Sequence, residues 1–334
     1  MVAQRVRDFR LDLAGLAVLV PLLLVPFLVR SPLYLSLTHQ TVVGIIAAMG
    51  VYIMLRMNLL PFTVPAFMAI GGYAAAMLSV WGGMTNLLVL MTASFVIPML
   101  VAVPLGILVL RLKGTYFIFF TFILNEILQV AIFETPSLTG GSDGIAGVPP
   151  ATLLGIEFGT PSLLLLVTII SGLVAGLVTL VVTHVYRAEF ASIEENETLA
   201  ESLGLAVWWY RSIGFVFSAG VSGLAGFAMV HMLTAAHPSS FASFSAINYV
   251  AYAFVGGRGT LLGPIVGAAV LVILSNLFSS QGLYSAALFG LLLMVVVMAA
   301  PGGLVGEIRR LVSWRPTGGR LQPLTQERAR GKHG

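Results

Sequence analysis

The chain has 334 residues, 58% of them apolar and only 9% charged, with a formal net charge of +4 and a mean hydropathy of +1.00. A soluble domain carries about 25% charged residues, so a water-soluble enzyme is excluded and the bilayer is the solvent to argue from. The absence of cysteine excludes structural disulfides, thiolate metal sites and cysteine catalysis.

A membrane-spanning helix needs about 20 mostly apolar residues. Runs of that kind predict ten segments, at 11–29, 37–55, 62–81, 86–110, 116–133, 162–183, 212–234, 243–257, 261–279 and 283–300. The expected fold is an all-α polytopic membrane protein, with one transmembrane unit over 1–300 and a basic tail over 301–334. The first segment follows Arg5, Arg7 and Arg10. It continues past Pro21 and Pro26, and Arg30-Ser31-Pro32 offers no small-x-small cleavage site, so it reads as a retained helix rather than a signal peptide.

Positive charge sets the orientation. With the N-terminus inside, ten spans place Arg56, Arg111, Lys113, Arg187, Arg211, Arg258 and the tail from Arg309 to Lys332 in the cytoplasm, and leave only Arg30 outside. This count needs 243–257 as a short span; without it the tail faces outward. Both termini are then cytoplasmic. The tail reads as an anchor against anionic headgroups; it lacks the interleaved aromatics of a nucleic-acid binder.

In the fifth segment Glu126 is the only carboxylate well inside a span, and Thr121, Asn125 and Gln129 form a polar stripe at i, i+4 and i+8. An intramembrane acid is costly and needs a protein or water partner. Two readings stand: a place on a translocation pathway, or a structural hydrogen bond between helices.

Between the sixth and seventh segments, loop 184–211 carries its own helix signals. Ser192 followed by Glu195 forms a capping box. Glu194, Glu195 and Glu197 suit the positive end of a helix dipole, and Gly204 suits a left-handed C-terminal position. A single helix over 193–203 is expected, with Ile193, Ala200 and Leu203 on one face. It is either a docking knob for a partner or a plain surface helix.

Several motifs have ordinary readings. Gly220-Val221-Ser222-Gly223 has the form of an intramembrane serine-protease site, but His231 lies on the opposite face of the same helix and no histidine follows in the last three segments. Ser222 and Gly226, Gly263 and Gly267, and Gly172 and Gly176 read instead as small-xxx-small packing pairs, with Gly223 beside them. Gly140, Gly141 and Gly144 in the long outer loop, and Gly256, Gly257 and Gly259 in the eighth connection, read as tight turns. The five histidines show no metal spacing. Segments three and eight hint at an inverted repeat, each preceded by a proline (Pro65, Pro238) and ending at a glycine pair (Gly71-Gly72, Gly256-Gly257).

The run Glu195–Gly204, with Tyr210-Arg211-Ser212 and Phe215–Ala219, resembles the cytoplasmic loop of ABC importer permeases. It is most similar to the branched-chain amino-acid permease subunits of the LivM type. Three further blocks resemble that family in order: Arg111–Phe117 with Glu126 behind it, Leu138–Ile145, and Gly256–Ala268. The resemblance spans about 110–300. The stretch Asn58–Tyr73 departs from the family's polar Gly-Gln-x-Ser-Leu-Gly-His-type block, which leaves the substrate open, with urea, short amides and other small polar solutes as alternatives. The resemblance implies a homologous second permease, two cytoplasmic ATPases and an extracytoplasmic solute-binding protein as partners. It also implies contact with an ATPase through Glu194, Asn196, Glu197, Ala200, Ser202 and Gly204. No phosphate-binding Gly-x-x-x-x-Gly-Lys-Ser/Thr occurs in the chain, so ATP is expected on the partners and no cofactor or bond chemistry in this chain. An ion-coupled secondary transporter using Glu126 is the alternative of a different class.

Overall fold

The computed structural model describes residues 12–29, 31–279, 285–299 and 302–307; Arg30 and the tail from Arg309 lie outside them. Each of the ten apolar runs holds a helix among its described residues. α1 (Asp12–Leu28) tightens to a 3₁₀ turn at Pro21–Leu24, where Pro21 and Pro26 supply no backbone N–H. There follow α2 (Pro32–Leu55), α3 (Val64–Val80), α4 (Leu87–Val109), α5 (Thr115–Phe133) and the single turn α6 (Pro136–Thr139). The second half holds α7 (Pro161–Val185), α8 (Arg187–Glu195), α9 (Glu197–Ser202), α10 (Val207–Leu233), α11 (Ser245–Gly256), α12 (Leu262–Ser279) and α13 (Ser285–Ala299).

Among the described residues, five helices are long and apolar enough to cross a bilayer: α2, α4, α5, α7 and α10. α11 has 12 residues, about 18 Å at 1.5 Å per residue, and is too short to cross a hydrocarbon core of about 30 Å alone. The strand β4 (Ala235–Ala236) and a 3₁₀ turn at Pro238–Phe241 precede it, so this stretch enters as irregular backbone and continues as a half-length helix.

α2 is the axis of the bundle. It is apolar on every side, and every residue from Val42 to Leu55 is buried, the pattern of a helix enclosed by others. α7, α10, α11 and α12 pack around it. α10 in turn crosses α3 and α4 at backbone contact. A Cβ on Gly226 would collide with the Met68 carbonyl, and one on Gly223 with the Ser94 carbonyl and Pro98. Small residues at such crossings let helices gain packing that larger side chains would block. Ser222 turns elsewhere: its hydroxyl donates to the Ser218 carbonyl at 2.7 Å and lies against Gly50 of α2. Gly223, rather than Ser222, pairs with Gly226 against α3. Gly256 and Gly263 bring α11 and α12 together, with Gly267 against the Tyr252 carbonyl.

The inverted-repeat hint fails at the glycine pairs. Gly256 ends α11, but Gly71 and Gly72 lie in mid-helix, with α3 continuing to Val80. Gly71 serves the crossing with Gly223 rather than a helix end.

Two ends of the bundle differ. At one, β1 (Ile145–Ala146) pairs antiparallel with β4, and Gly140 and Gly144 at φ +76° and +69° turn the chain where a Cβ would strike backbone. A small hairpin, β2 (Thr152–Leu153) with β3 (Ile156–Glu157), sits beside them. The other end gathers the basic loops. Arg56 donates to the Arg258 carbonyl (3.3 Å), Arg258 donates to Asn58 (3.2 Å), and the Asp12 carboxylate accepts from the Leu261 N–H (2.8 Å). Trp81 is exposed at the first end, and Trp208 and Trp209 are exposed at the second, where interfacial tryptophans sit in membrane proteins.

Candidate functional site

The loop between α7 and α10 folds as two helices, not one. α8 runs through Ser192, whose hydroxyl donates to the Ala188 carbonyl (2.8 Å) from inside the helix. Ser192 is therefore not a cap. The break comes at Asn196, extended at φ −159° and ψ 103°, whose side chain accepts from the Leu199 N–H (3.0 Å). A short amide side chain satisfies a helix's first donors as well as serine does and competes with the preceding helix for them. At the far end Leu205 N–H reaches the Ala200 carbonyl and Gly204 N–H the Glu201 carbonyl, both at 3.0 Å. With Gly204 at φ +88°, this is a Schellman closure.

The break redistributes the faces. Ile193 and Ala200 are buried, whereas Leu203 is 79% exposed and Leu199 56% exposed. Of the residues expected to meet an ATPase, Ala200 faces the bundle itself and is too covered for contact. Glu197 is also engaged within the chain. Its Oε2 accepts from Arg211 Nη2 at 2.6 Å, and its Oε1 lies 2.8 Å from Lys113 Nζ. Arg211 is buried at the foot of α10, and a buried guanidinium requires such a partner. Lys113 also lies 3.7 Å from Glu201, one turn along the same face of α9. The hydrogen bond to Glu197 holds the Lys113 ammonium above the usual lysine range. What remains outward on α9 and its closing turn is Thr198, Leu199, Ser202, Leu203 and Gly204, with Glu201 exposed beside Lys113 and Glu195 and Asn196 at the break; Glu194 is half-buried.

The polar stripe of α5 faces the bundle. Thr121 accepts from the Phe62 N–H (3.3 Å) and donates to the Ile118 carbonyl (2.8 Å). Gln129 Oε1 accepts from the Ser243 hydroxyl (2.8 Å) and N–H (3.3 Å). Both thus tie α5 to non-helical backbone before α3 and α11. Asn125 is buried, and neither side-chain atom has a hydrogen-bond partner among the described residues; it lines a small cavity with Gln129, Ala66 and Phe241. Glu126 does not share this face. It is half-buried on the flank of the opposite, open side of α5, where Tyr116, Phe119, Ile123, Ile127 and Val130 are exposed.

A larger cavity of about 320 Å³ lies between α2, α10, α11 and α12. Gln40, Tyr249, Tyr252, Ser275 and Asn276 supply its polar lining, with no charged side chain. None of the stripe residues reaches it. It is built from four helices distant in sequence, so no local pattern announces it.

A family model described as branched-chain amino acid transport system, permease component, matches residues 33–301. Two relatives are each named high-affinity branched-chain amino acid transport system permease protein LivM, from Salmonella typhimurium (strain LT2) and Escherichia coli (strain K12). Each is 25% identical over 309 residues, covering 85% of this chain and 72% of the relative. No solved structure matches. The family match takes in the bundle from α2 to α13, including the paired helices α8 and α9 and the polar span α5, and the chain belongs to the permease components of branched-chain amino acid transport systems.

Proposed function

We propose that this chain is one permease half of an ATP-driven importer that carries branched-chain amino acids into a bacterial cell. Its partners are a homologous permease, two cytoplasmic ATPases that bind the ATP, and an extracytoplasmic binding protein. The observation that carries the reading is α9, a helix of one and a half turns closed at both ends that holds Leu199 and Leu203 out from the bundle. Two exposed leucines on a fixed helix suit a partner's groove, and this end carries the basic loops that the charge rule assigns to the cytoplasm. The same charge rule assigns both termini to that side, and the basic sequence from Arg309 to Lys332 suits anionic headgroups. The exposed face of α5, with Glu126 on its flank, is where the second permease and the pathway meet this chain. ATP binding draws the ATPases together, pushes on α9 and rocks the bundle between outward- and inward-open states.

The test is uptake in vesicles. Permease with its copurified ATPases, given ATP on the cytoplasmic side and binding protein charged with radiolabelled leucine outside, should accumulate leucine. The permease alone, supplied with a proton or sodium gradient, should not. Gradient-driven uptake by the chain alone overturns the reading in favour of a secondary transporter.

A further inference from the structure

We infer that Lys113 is a positioning residue that passes movement of α9 to α5, with Gly114 as the joint. The inference rests on the ATPase-docking reading of α9 and extends it inward, to the span that is moved. Three observations converge on this short segment. The first is the ion-pair arrangement, in which Lys113 lies 2.8 Å from Glu197 and 3.7 Å from Glu201. These carboxylates stand one turn apart on α9, so the ammonium follows the helix as a whole and not a single rotamer. Glu197 is itself fixed from behind by buried Arg211 at 2.6 Å, which joins the same node to the base of α10.

The second observation is the joint. Gly114, between Lys113 and the first residue of α5, sits at φ +57° and ψ −132°, a conformation open to glycine and strained for other residues. A Cβ there would have nothing within 4 Å, so no packing demands the glycine. The backbone geometry alone does, and that geometry sets the angle at which α5 leaves the loop.

The third is the looseness of α5. Of its 19 residues, only Phe117, Thr121, Leu124 and Asn125 are buried. The neighbouring α3 and α4, by contrast, are locked against α10 at glycine crossings. A push delivered to this end therefore finds one span free to tilt, and Lys113 is the side chain that connects it to the pushed helix. Tilting α5 moves the Thr121 and Gln129 contacts, which hold the backbone before α3 and α11.

An exposed lysine ion pair adds little to stability, so removing it should leave the fold intact. That makes the inference testable in the assembled complex with Lys113→Ala and Lys113→Arg. Three quantities are read from one preparation: ATPase copurified, ATP hydrolysed, and leucine taken up per ATP. The expected result for Lys113→Ala is wild-type copurification and hydrolysis, with uptake per ATP lowered at least several-fold, and recovery of uptake in Lys113→Arg. Spin labels at Val130 of α5 and Val80 of α3 should show an ATP-dependent distance change in wild type and Lys113→Arg that Lys113→Ala lacks. Wild-type uptake per ATP in Lys113→Ala, or an unchanged label response, overturns the inference while leaving ATPase docking intact. Loss of copurified ATPase in Lys113→Ala also overturns it, because Lys113 would then be a docking contact. Failure of the wild-type complex to hold an ATPase is a different outcome, and it removes the docking reading and this inference together.

Discussion

At the scale of single residues, several glycines sit where the backbone of one helix meets the backbone of the next. Gly226 faces the Met68 carbonyl so closely that any Cβ requires α10 and α3 to part. Gly226→Ala is expected to destabilise the permease by about 1–3 kcal/mol, the usual range for overpacking a filled core. A lower unfolding midpoint in detergent, at unchanged expression of the helical fold, is the measurement. Glu126 poses a different question, because it is a carboxylate near an open helix face with no hydrogen-bond or ion-pair partner among the described residues. Glu126→Gln keeps the volume and removes the charge. Assembly should be normal and leucine uptake reduced several-fold, as expected of an acid that lines a wet path rather than bracing two helices. Uptake at the wild-type rate would assign Glu126 a purely structural place.

At the scale of elements, α9 is the piece whose shape matters most and whose sequence was hardest to parse. Its end at Gly204 is legible, because a glycine after an apolar position is a local signal. Its start is not. Ser192 and Asn196 are both acceptable caps, and the choice falls to Asn196 because Glu197 behind it is drawn in by Arg211, 14 residues away. That pairing also explains why Glu197 and Ala200 are turned from any partner. The spans were legible because the bilayer imposes one long apolar pattern on each. The stripe on α5 was legible as a stripe, but its partners Phe62 and Ser243 were not, since each contact joins residues far apart in the chain. Within α9, Ala200 N–H bonds the Asn196 carbonyl at 3.0 Å. Ala200→Pro deletes that bond and clashes with the preceding turn, a local cost of about 3 kcal/mol or more. Membrane insertion and bundle stability should be retained, because the spans are held by their own packing. Copurification of the ATPase should fall and ATP-driven uptake should be lost. Wild-type values for both would make the loop a bystander.

At the scale of the whole molecule, the bundle divides into a stiff part and a loose one. α3, α4 and α10 touch through backbone, and α10 packs along buried α2. α5 hangs on this block by a few polar contacts and presents most of its surface outward. The apolar surface left open on α5, like that on α4, suits lipid or a neighbouring helix in the membrane. Under the proposed function, the open side of α5 is the face offered to the second permease.

The carboxylate of Asp12 accepts from Leu261 N–H, and Gly15 lies against the backbone of Leu262. These contacts set an order of construction. A chain made at about 5–20 residues per second delivers its first span to the bilayer well before the segment that this span must touch exists. The head of α1 therefore spends the interval between its own synthesis and that of α12 without its final partner. Proper seating of α1 is an event of late synthesis. A ribosome that stalls after α10 leaves behind a membrane-inserted fragment whose first span is in the lipid but not yet in its place.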